Sequence, residues 1–341
     1  MKLNKILLLL LLFTTSPIFA DYAVIFMYHR FGEPKYPSTN ITLEQFQFQI
    51  DYLQKNKYNV WHLSKILRHI INKEKIPPKT VAITIDDAYL STYKNAYPML
   101  KKKNFPFTVT INTKQIDLKS KNYMSWEQMR EMKANGVEFT NHTVNHPYLI
   151  AKKNEKDASW EKRIIKEIEE AQSKIQDELG VDTNENPRIF TYPFGEYDTK
   201  TAQLVKELGY IGISQTSGTV EHNSDLRAIK RFPMSESFAS EDGFITKLNT
   251  LPMPIESTSS FEPLVRNNNP PKLRIKLKMP LENIRCYISN GDAINFDFIS
   301  QTEIEVYANE PIQVGREKYT CTAPAENGKW YWYSHLWILK K

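Results

Sequence analysis

Two carboxylates stand side by side in Thr84-Ile85-Asp86-Asp87, directly after an apolar run. At the end of an extended segment adjacent side chains point in different directions, so one acid can hold a cation while the other faces a substrate. Taken alone, the pair would serve equally well as a helix N-cap with a second acid at the helix's positive end. Further along, Asn141-His142-Thr143-Val144-Asn145-His146 sets two imidazoles four residues apart, a spacing that lets both reach one ion. With Asp87 they form a set of two histidines and one carboxylate, which leaves coordination positions open for water and substrate. A third segment, Phe190-Thr191-Tyr192-Pro193-Phe194-Gly195, joins Pro and Gly in an irregular backbone whose N–H groups can face a pocket. By itself it reads as an ordinary strand-to-helix turn.

The elements around these residues alternate. Short β-rich apolar runs at 23–28, 81–85, 107–111, 137–140, 188–192 and 210–214 are separated by helical patterns, the signature of repeated β–α units. Thr42 with Gln45, and Ser125 with Gln128, are capping boxes that start two of the helices. A charged helix over 158–179 ends at Gly180, and another over 198–208 ends at Gly209. Six or seven such units predict a barrel-like α/β domain over 21–250, with function in the loops at the carboxyl ends of the strands. All three chemical segments follow a strand.

The chain has 341 residues, of which 41% are hydrophobic and only 11 are Gly, which excludes disordered and collagen-like classes. Its net charge of +6 falls to +4 without Lys2 and Lys5, and the lysines are scattered, so no nucleic-acid partner is expected. Residues 1–20 read as a secretory signal peptide: a basic start, an apolar run over 6–13 and a small residue, Ala20, for cleavage. That run is too short to span a bilayer, and no later one is apolar enough, so an exported protein without a stable membrane span is expected, in the periplasm or at the cell surface. Residues 251–271 read as a linker, and 272–341 as a small antiparallel β module. In it Asn290-Gly291 marks a hairpin turn, and Cys286 and Cys321 are expected to pair as a disulfide. Its last strand carries Trp330, Trp332 and Ser334 on one face and Tyr331, Tyr333 and His335 on the other, suited either to stacking on sugars or to filling a small core.

Thr-Ile-Asp-Asp, His-Thr-Val-Asn-His and Tyr-Pro-Phe-Gly, in that order and each after a strand, resemble the NodB-type polysaccharide deacetylases of carbohydrate esterase family 4. The resemblance covers roughly 22–248. It implies a distorted (β/α)7-type barrel, a divalent metal, usually zinc, and hydrolysis of acetyl groups on a polysaccharide. Carried over by position, Asp87, His142 and His146 are metal ligands and Asp86 is the catalytic base; Tyr192 and Phe194 lie on the substrate side, with the Phe194 N–H as oxyanion donor. Two departures stand out. Thr191 occupies the place of the family's base-orienting Arg, for which Arg231 is a substitute from a later strand. No histidine occurs between Asn223 and Ser334, where the family's general acid belongs, which leaves His29 and His222 as substitutes; His29 would serve equally as a partner of Asp86 or Asp87. The Met-Tyr-His start resembles exported deacetylases of biofilm poly-N-acetylglucosamine. The departures also suit a catalytically reduced glycan-binding protein that kept its metal site, whereas a two-metal phosphoesterase would need more ligands.

Overall fold

The computed structural model describes residues 20–180 and 187–341; the expected signal segment lies outside the described residues apart from Ala20. Six strands, β1 (Tyr22–Tyr28), β2 (Thr80–Ile85), β3 (Thr108–Ile111), β4 (Glu138–Asn141), β5 (Arg188–Thr191) and β6 (Tyr210–Ile213), lie side by side in chain order, all parallel. β2 and β3 are buried along their whole length, the burial that helices on the outside of a parallel sheet impose and the reason these runs are continuously apolar. The sheet curls. β7 (Phe232–Pro233) pairs parallel with β1, and just before it Ile229 bridges Ile213 of β6, so 229–233 ties the last strand back to the first.

The outer helices begin where local chemistry dictates. Thr42 and Ser125 each accept from the backbone three residues on while Gln45 and Gln128 reach back, completing both capping boxes. These start α1 (Leu43–Lys55) and α2 (Trp126–Ala134). The charged helix α3 (Asp157–Leu179) stops at Gly180, whose φ of 56° is left-handed.

The second unit contains β8 (Thr250–Pro252), β9 (Ile255–Thr258), β10 (Lys272–Leu277), β11 (Arg285–Tyr287), β12 (Asn295–Ser300), β13 (Glu303–Tyr307), β14 (Gly315–Pro324) and β15 (Trp330–Leu339). They form two four-stranded sheets, β8-β15-β14-β11 and β9-β10-β13-β12. Leu273, Ile275, Leu277, Ile304, Val306 and Trp337 fill the space between them, and the Cys286–Cys321 disulfide joins paired residues of β11 and β14.

Two expectations need correction. The segment read as a linker takes in most of β8 and all of β9, which pair with β15 and β10, so its backbone is part of the sheets. The Asn290-Gly291 turn is present, with Ile288 N–H donating to Asp292 O at 3.0 Å, but its two arms continue into different sheets, as β11 and β12. The aromatic tail is used for packing: Trp332 meets Phe232 edge-on with ring centroids 5.4 Å apart, while Trp337 lies in the module's core. Leu336 and Ile338 pack with Phe190 and Tyr192 of the barrel, so β15 is the seam between the units. Among the described residues no helix is long and apolar enough to cross a membrane.

Candidate metal centre and catalytic pocket

The register of β1 on β2 pairs Tyr28 with Ile85, so both strands end at the same level and His29 comes beside Asp86. The Asp86 N–H donates to Tyr28 O at 2.8 Å, which fixes where the acid pair leaves the sheet. Asp86 turns inward and has no exposed surface. There Arg231, equally buried, meets it with two parallel bonds, Nη1 to Oδ1 at 2.7 Å and Nη2 to Oδ2 at 2.8 Å. Arg231 also donates to Thr84 Oγ1 and Ser214 O, and Thr110 Oγ1 donates to Asp86 Oδ1. Burial alone would raise the Asp86 carboxyl; the guanidinium outweighs it and holds the group down at about 2. Thr191 leaves no charge at the place expected of an orienting Arg, and Arg231 brings one to the same carboxylate from the segment that ties β6 to β1.

Asp87 turns the other way. Its Oδ1 lies 3.5 Å from His142 Nε2 and 3.5 Å from His146 Nε2, and the three donor atoms lie within 4.8 Å of one another. The chemistry of this set fits a divalent cation. His142 Nδ1 is 2.8 Å from Thr191 O, which makes it the nitrogen that keeps its proton in the neutral ring and directs Nε2 at the other two donors. That Nε2 is buried and has no hydrogen-bond partner. Burial would lower His142, but the neighbouring Asp87 and Asp86 carboxylates outweigh it and raise the group, the bias toward positive charge that a cation at Nε2 would satisfy instead of a proton. Burial and the neighbouring His142 lower His146 to about 4, and the imidazoles outweigh burial to hold Asp87 below the usual carboxylate range, so both offer lone pairs near neutral pH. Asn112, at the end of β3, donates to Asp87 Oδ1 at 3.0 Å. Its place after a strand is legible in the sequence, but an asparagine there carries no acid or metal signal of its own.

The loops that carry these groups hold unusual backbone. Asp87, Ala88, Thr143, His146 and Phe194 have φ of 72°, 56°, 70°, 54° and 60°. Left-handed backbone costs a residue with a side chain on the order of 1 kcal/mol or more, and these five meet that cost at the site's own strand ends. Side chains lock it: Asn141 Oδ1 accepts from Thr143 N–H and Thr143 Oγ1 from His146 N–H, both at 2.9 Å.

A cavity of about 710 Å³ opens over the triad, lined among others by His29, Asp87, His146, Phe194 and Gly195. Tyr89 and Tyr123 form one side; Phe194 stacks on Tyr148 and meets His146 edge-on, each at 4.4 Å between centroids, on another. His29 stands between this cavity and Asp86, its Nε2 3.9 Å from Asp86 Oδ2. Burial lowers the His29 pKa, so the ring is neutral near pH 7. The second unit also reaches the cavity, through Ser289, Arg316 and Lys318, a contribution with no signal in the sequence because it depends on how the units dock.

Two expected site residues lie elsewhere. Tyr192 is wholly buried, its hydroxyl donating to Arg227 O at 2.8 Å between the rings of Phe190 and Tyr197, because it continues the alternation of β5 on the face that Phe190 packs against α3. His222 is at the opposite end of the barrel. It follows a short strand paired with the start of β1, and its Nε2 lies 2.9 Å from Glu74 O. His62, His69 and His335 take no part in the triad or the cavity wall.

Comparison with known proteins agrees with this geometry. The family model described as polysaccharide deacetylase matches residues 73–213, a stretch that holds Asp86, Asp87, both triad histidines and Phe194. The putative polysaccharide deacetylase YxkH of Bacillus subtilis is 27% identical over 213 residues, which is 62% of this chain and 71% of that protein. The poly-beta-1,6-N-acetyl-D-glucosamine N-deacetylase of Staphylococcus aureus is 26% identical over 225 residues, 64% of this chain and 75% of that one. In fold, the chain resembles the Streptococcus pyogenes deacetylase PplD, solved with acetate, at a TM-score of 0.58 and 24% identity over 68% of this chain and 99% of that one. IcaB from Ammonifex degensii gives 0.56 and 24% over 65% and 96%. With acid pair, histidine pair and turn on one curled sheet, residues 73–213 carry a polysaccharide deacetylase domain of the NodB type.

Proposed function

We propose that the protein is an exported, metal-dependent deacetylase that removes N-acetyl groups from a polysaccharide of the N-acetylglucosamine type. The observation that carries this reading is the convergence of Asp87, His142 and His146, with the His142 Nε2 left free, beside the buried Asp86–Arg231 pair and under one cavity. Asp87, His142 and His146 would hold the cation, most plainly Zn²⁺ given two imidazoles and one carboxylate. A cation bound there supplies polarisation of an acyl carbonyl and a lowered pKa for water.

The remaining roles belong to the chain. Arg231 keeps Asp86 ionised and fixes its plane, so Asp86 is the proton acceptor as water adds to the acetamide carbon. His29, neutral and set between Asp86 and the cavity, is placed to carry that proton to the leaving amine. The Phe194 N–H, among the leading amides of a short 3₁₀ turn and so without an acceptor inside it, is the donor for the developing oxyanion. The Tyr89 and Tyr123 wall suits a sugar ring with its acetyl group directed at the triad. Export rests on the basic, apolar and small-residue pattern of 1–20. The barrel over 21–250 is taken as the catalytic domain and 272–341 as its companion.

A non-catalytic glycan-binding role draws its ground from the missing Arg at Thr191 and the missing histidine between Asn223 and Ser334; the Arg231–Asp86 pairing answers the first, and His29 beside Asp86 is the candidate that answers the second. The test is acetate release from poly-β-1,6-N-acetylglucosamine oligomers by metal-loaded protein and by Asp86→Asn. Activity in the wild type and a loss of a hundredfold or more in the variant are expected. Wild-type turnover in Asp86→Asn would overturn the mechanism, and polymer binding without acetate release at any zinc concentration would establish the non-catalytic role.

A further inference from the structure

The geometry points to the C-terminal β module as a working part of the active site: Arg316 is a positioning residue that holds the Phe194 turn in the conformation needed to present its N–H. The inference rests on the reading of Phe194 as oxyanion donor.

The turn needs an outside hold. Phe194 sits at φ 60°, ψ 4°, a left-handed conformation unfavourable for an aromatic residue, and Gly195 follows at φ 69°. Within the turn, Gly195 N–H donates to Tyr192 O at 2.8 Å and Glu196 N–H to Pro193 O at 3.1 Å. The first bond holds the Phe194–Gly195 peptide by its N–H and leaves the carbonyl edge of the same plane to a donor from outside the turn. Arg316 is that donor: its Nη1 donates to Phe194 O, and its Nε lies 3.6 Å from Glu196 Oε1, so one guanidinium grips both ends of the Phe194-Gly195-Glu196 stretch. With both edges of the planar peptide held, the ψ of Phe194 is fixed. The aromatic contacts with His146 and Tyr148 act on the ring of the same residue and leave its carbonyl to Arg316.

The module is anchored firmly enough for this task. Arg316 and Lys318 lie on β14, on the face opposite Tyr319 and Cys321, which are buried in the module's core. β14 pairs with β15 along ten residues, Arg316 opposite Ile338 and Lys318 opposite Leu336, and those two apolar partners pack into the barrel. Lys230 of the barrel donates to Ser334 O at 2.9 Å, adding a polar tie. Ser289 and Lys318 border the same cavity as Arg316, so the module's edge forms a wall of it. The Arg316 side chain remains 45% exposed, so its replacement disturbs no core.

The experiment compares wild type, Arg316→Gln and Arg316→Lys in the full mature chain loaded with zinc. Acetate release from poly-β-1,6-N-acetylglucosamine oligomers gives kcat and KM, and amide hydrogen exchange of 193–196 gives the order of the turn. Arg316→Gln should lower kcat between about tenfold and a hundredfold with KM within about twofold, since a misplaced donor loses most of its effect only in the transition state. Exchange at Gly195 and Glu196 should quicken about tenfold, Arg316→Lys should recover part of both effects, and the thermal midpoint should stay unchanged. Unaltered exchange and an unaltered kcat in Arg316→Gln overturn the inference. A wild type that releases no acetate refutes the proposed function instead, and in that case the exchange result alone decides whether Arg316 holds the turn.

Discussion

Replacing Arg231 with methionine tests the core of the site, because it removes one half of a buried ion pair and leaves a side chain of comparable reach. In the folded protein Asp86 is bonded by Arg231 through both oxygens and has no exposed surface. Without the guanidinium the cost of burial acts on the carboxylate unopposed, and a buried charge that loses its partner typically destabilises by about 3–5 kcal/mol. Urea unfolding of Arg231→Met should register a loss of that order. The cycle completed by Asp86→Asn and the double variant should return a coupling above about 2 kcal/mol, since with the charge gone the introduced thioether no longer faces an unpaired anion. Acetate release should fall by about 10²–10⁴, because burial pushes the freed carboxyl upward and neutralises the proton acceptor, and the two variants should not add. The sign of the pH effect follows. With Asp86 held at about 2, against 3.8 for the free side chain, its contribution is complete above about pH 4 and disappears as pH falls through 2. That contribution is on the order of 2 kcal/mol and should be missing from the acid limb of Asp86→Asn. Arg231→Met within about 1 kcal/mol of wild-type stability, with acetate release within about threefold, would refute the pairing as the basis of the site.

Three further outcomes are expected. Zinc should raise the thermal midpoint and a chelator should lower it, by up to about 4 kcal/mol of stability at a thousandfold excess over Kd, and His142→Ala should abolish the response along with bound metal measured by elemental analysis. Gly195→Ala should reduce acetate release at least about tenfold, because a Cβ there would stand 2.5 Å from Gln215 Cβ at a φ of 69°, and unfolding should show a loss of about 1–3 kcal/mol. Paired Cys286→Ser and Cys321→Ser should destabilise the module by up to about 4 kcal/mol, the chain-entropy value for a loop of 35 residues, read as a lower urea midpoint that no longer responds to reductant.

The legible parts of the fold were those in which local pattern and global role coincide. β1 and β2 are continuous apolar runs because both faces of a parallel sheet are covered, and Thr42 and Ser125 announce their helices through bonds within four residues. Asp87, His142 and His146 could be joined on paper because a parallel α/β sheet delivers every strand end to one rim. What failed depended on direction or on docking. Tyr192 and Phe194 are two residues apart in one motif, yet Tyr192 still follows strand alternation into the core while Phe194, past Pro193, is turned into the cavity by a left-handed backbone. His222 lies near Arg231 in sequence, but the chain runs from the bottom of the barrel to the top between them. Trp332 reads either as a sugar platform or as core until β15 is seen in the seam.

The departure at Thr191 illustrates how the geometry tolerates a moved charge. Asp86 lies at the end of β2, next to β1, and Arg231 immediately precedes β7, the neighbour of β1 on its other side. One strand separates them across the sheet surface, and a guanidinium on a long side chain spans that gap through the barrel's interior, collecting Ser214 O and Thr84 Oγ1 on the way. Thr191 lies three strands from Asp86 on the other side, so a residue there reaches the acid only across the curl. It keeps a different duty, since its carbonyl fixes the His142 tautomer, while its own hydroxyl is buried without a partner. A carboxylate buried at this depth demands a cation, but the demand names a position in space rather than in sequence. A chain that closes its sheet with a segment beside β1 can meet that demand from the closing segment. The absence of Arg from the third motif is therefore no argument against an ionised, oriented Asp86.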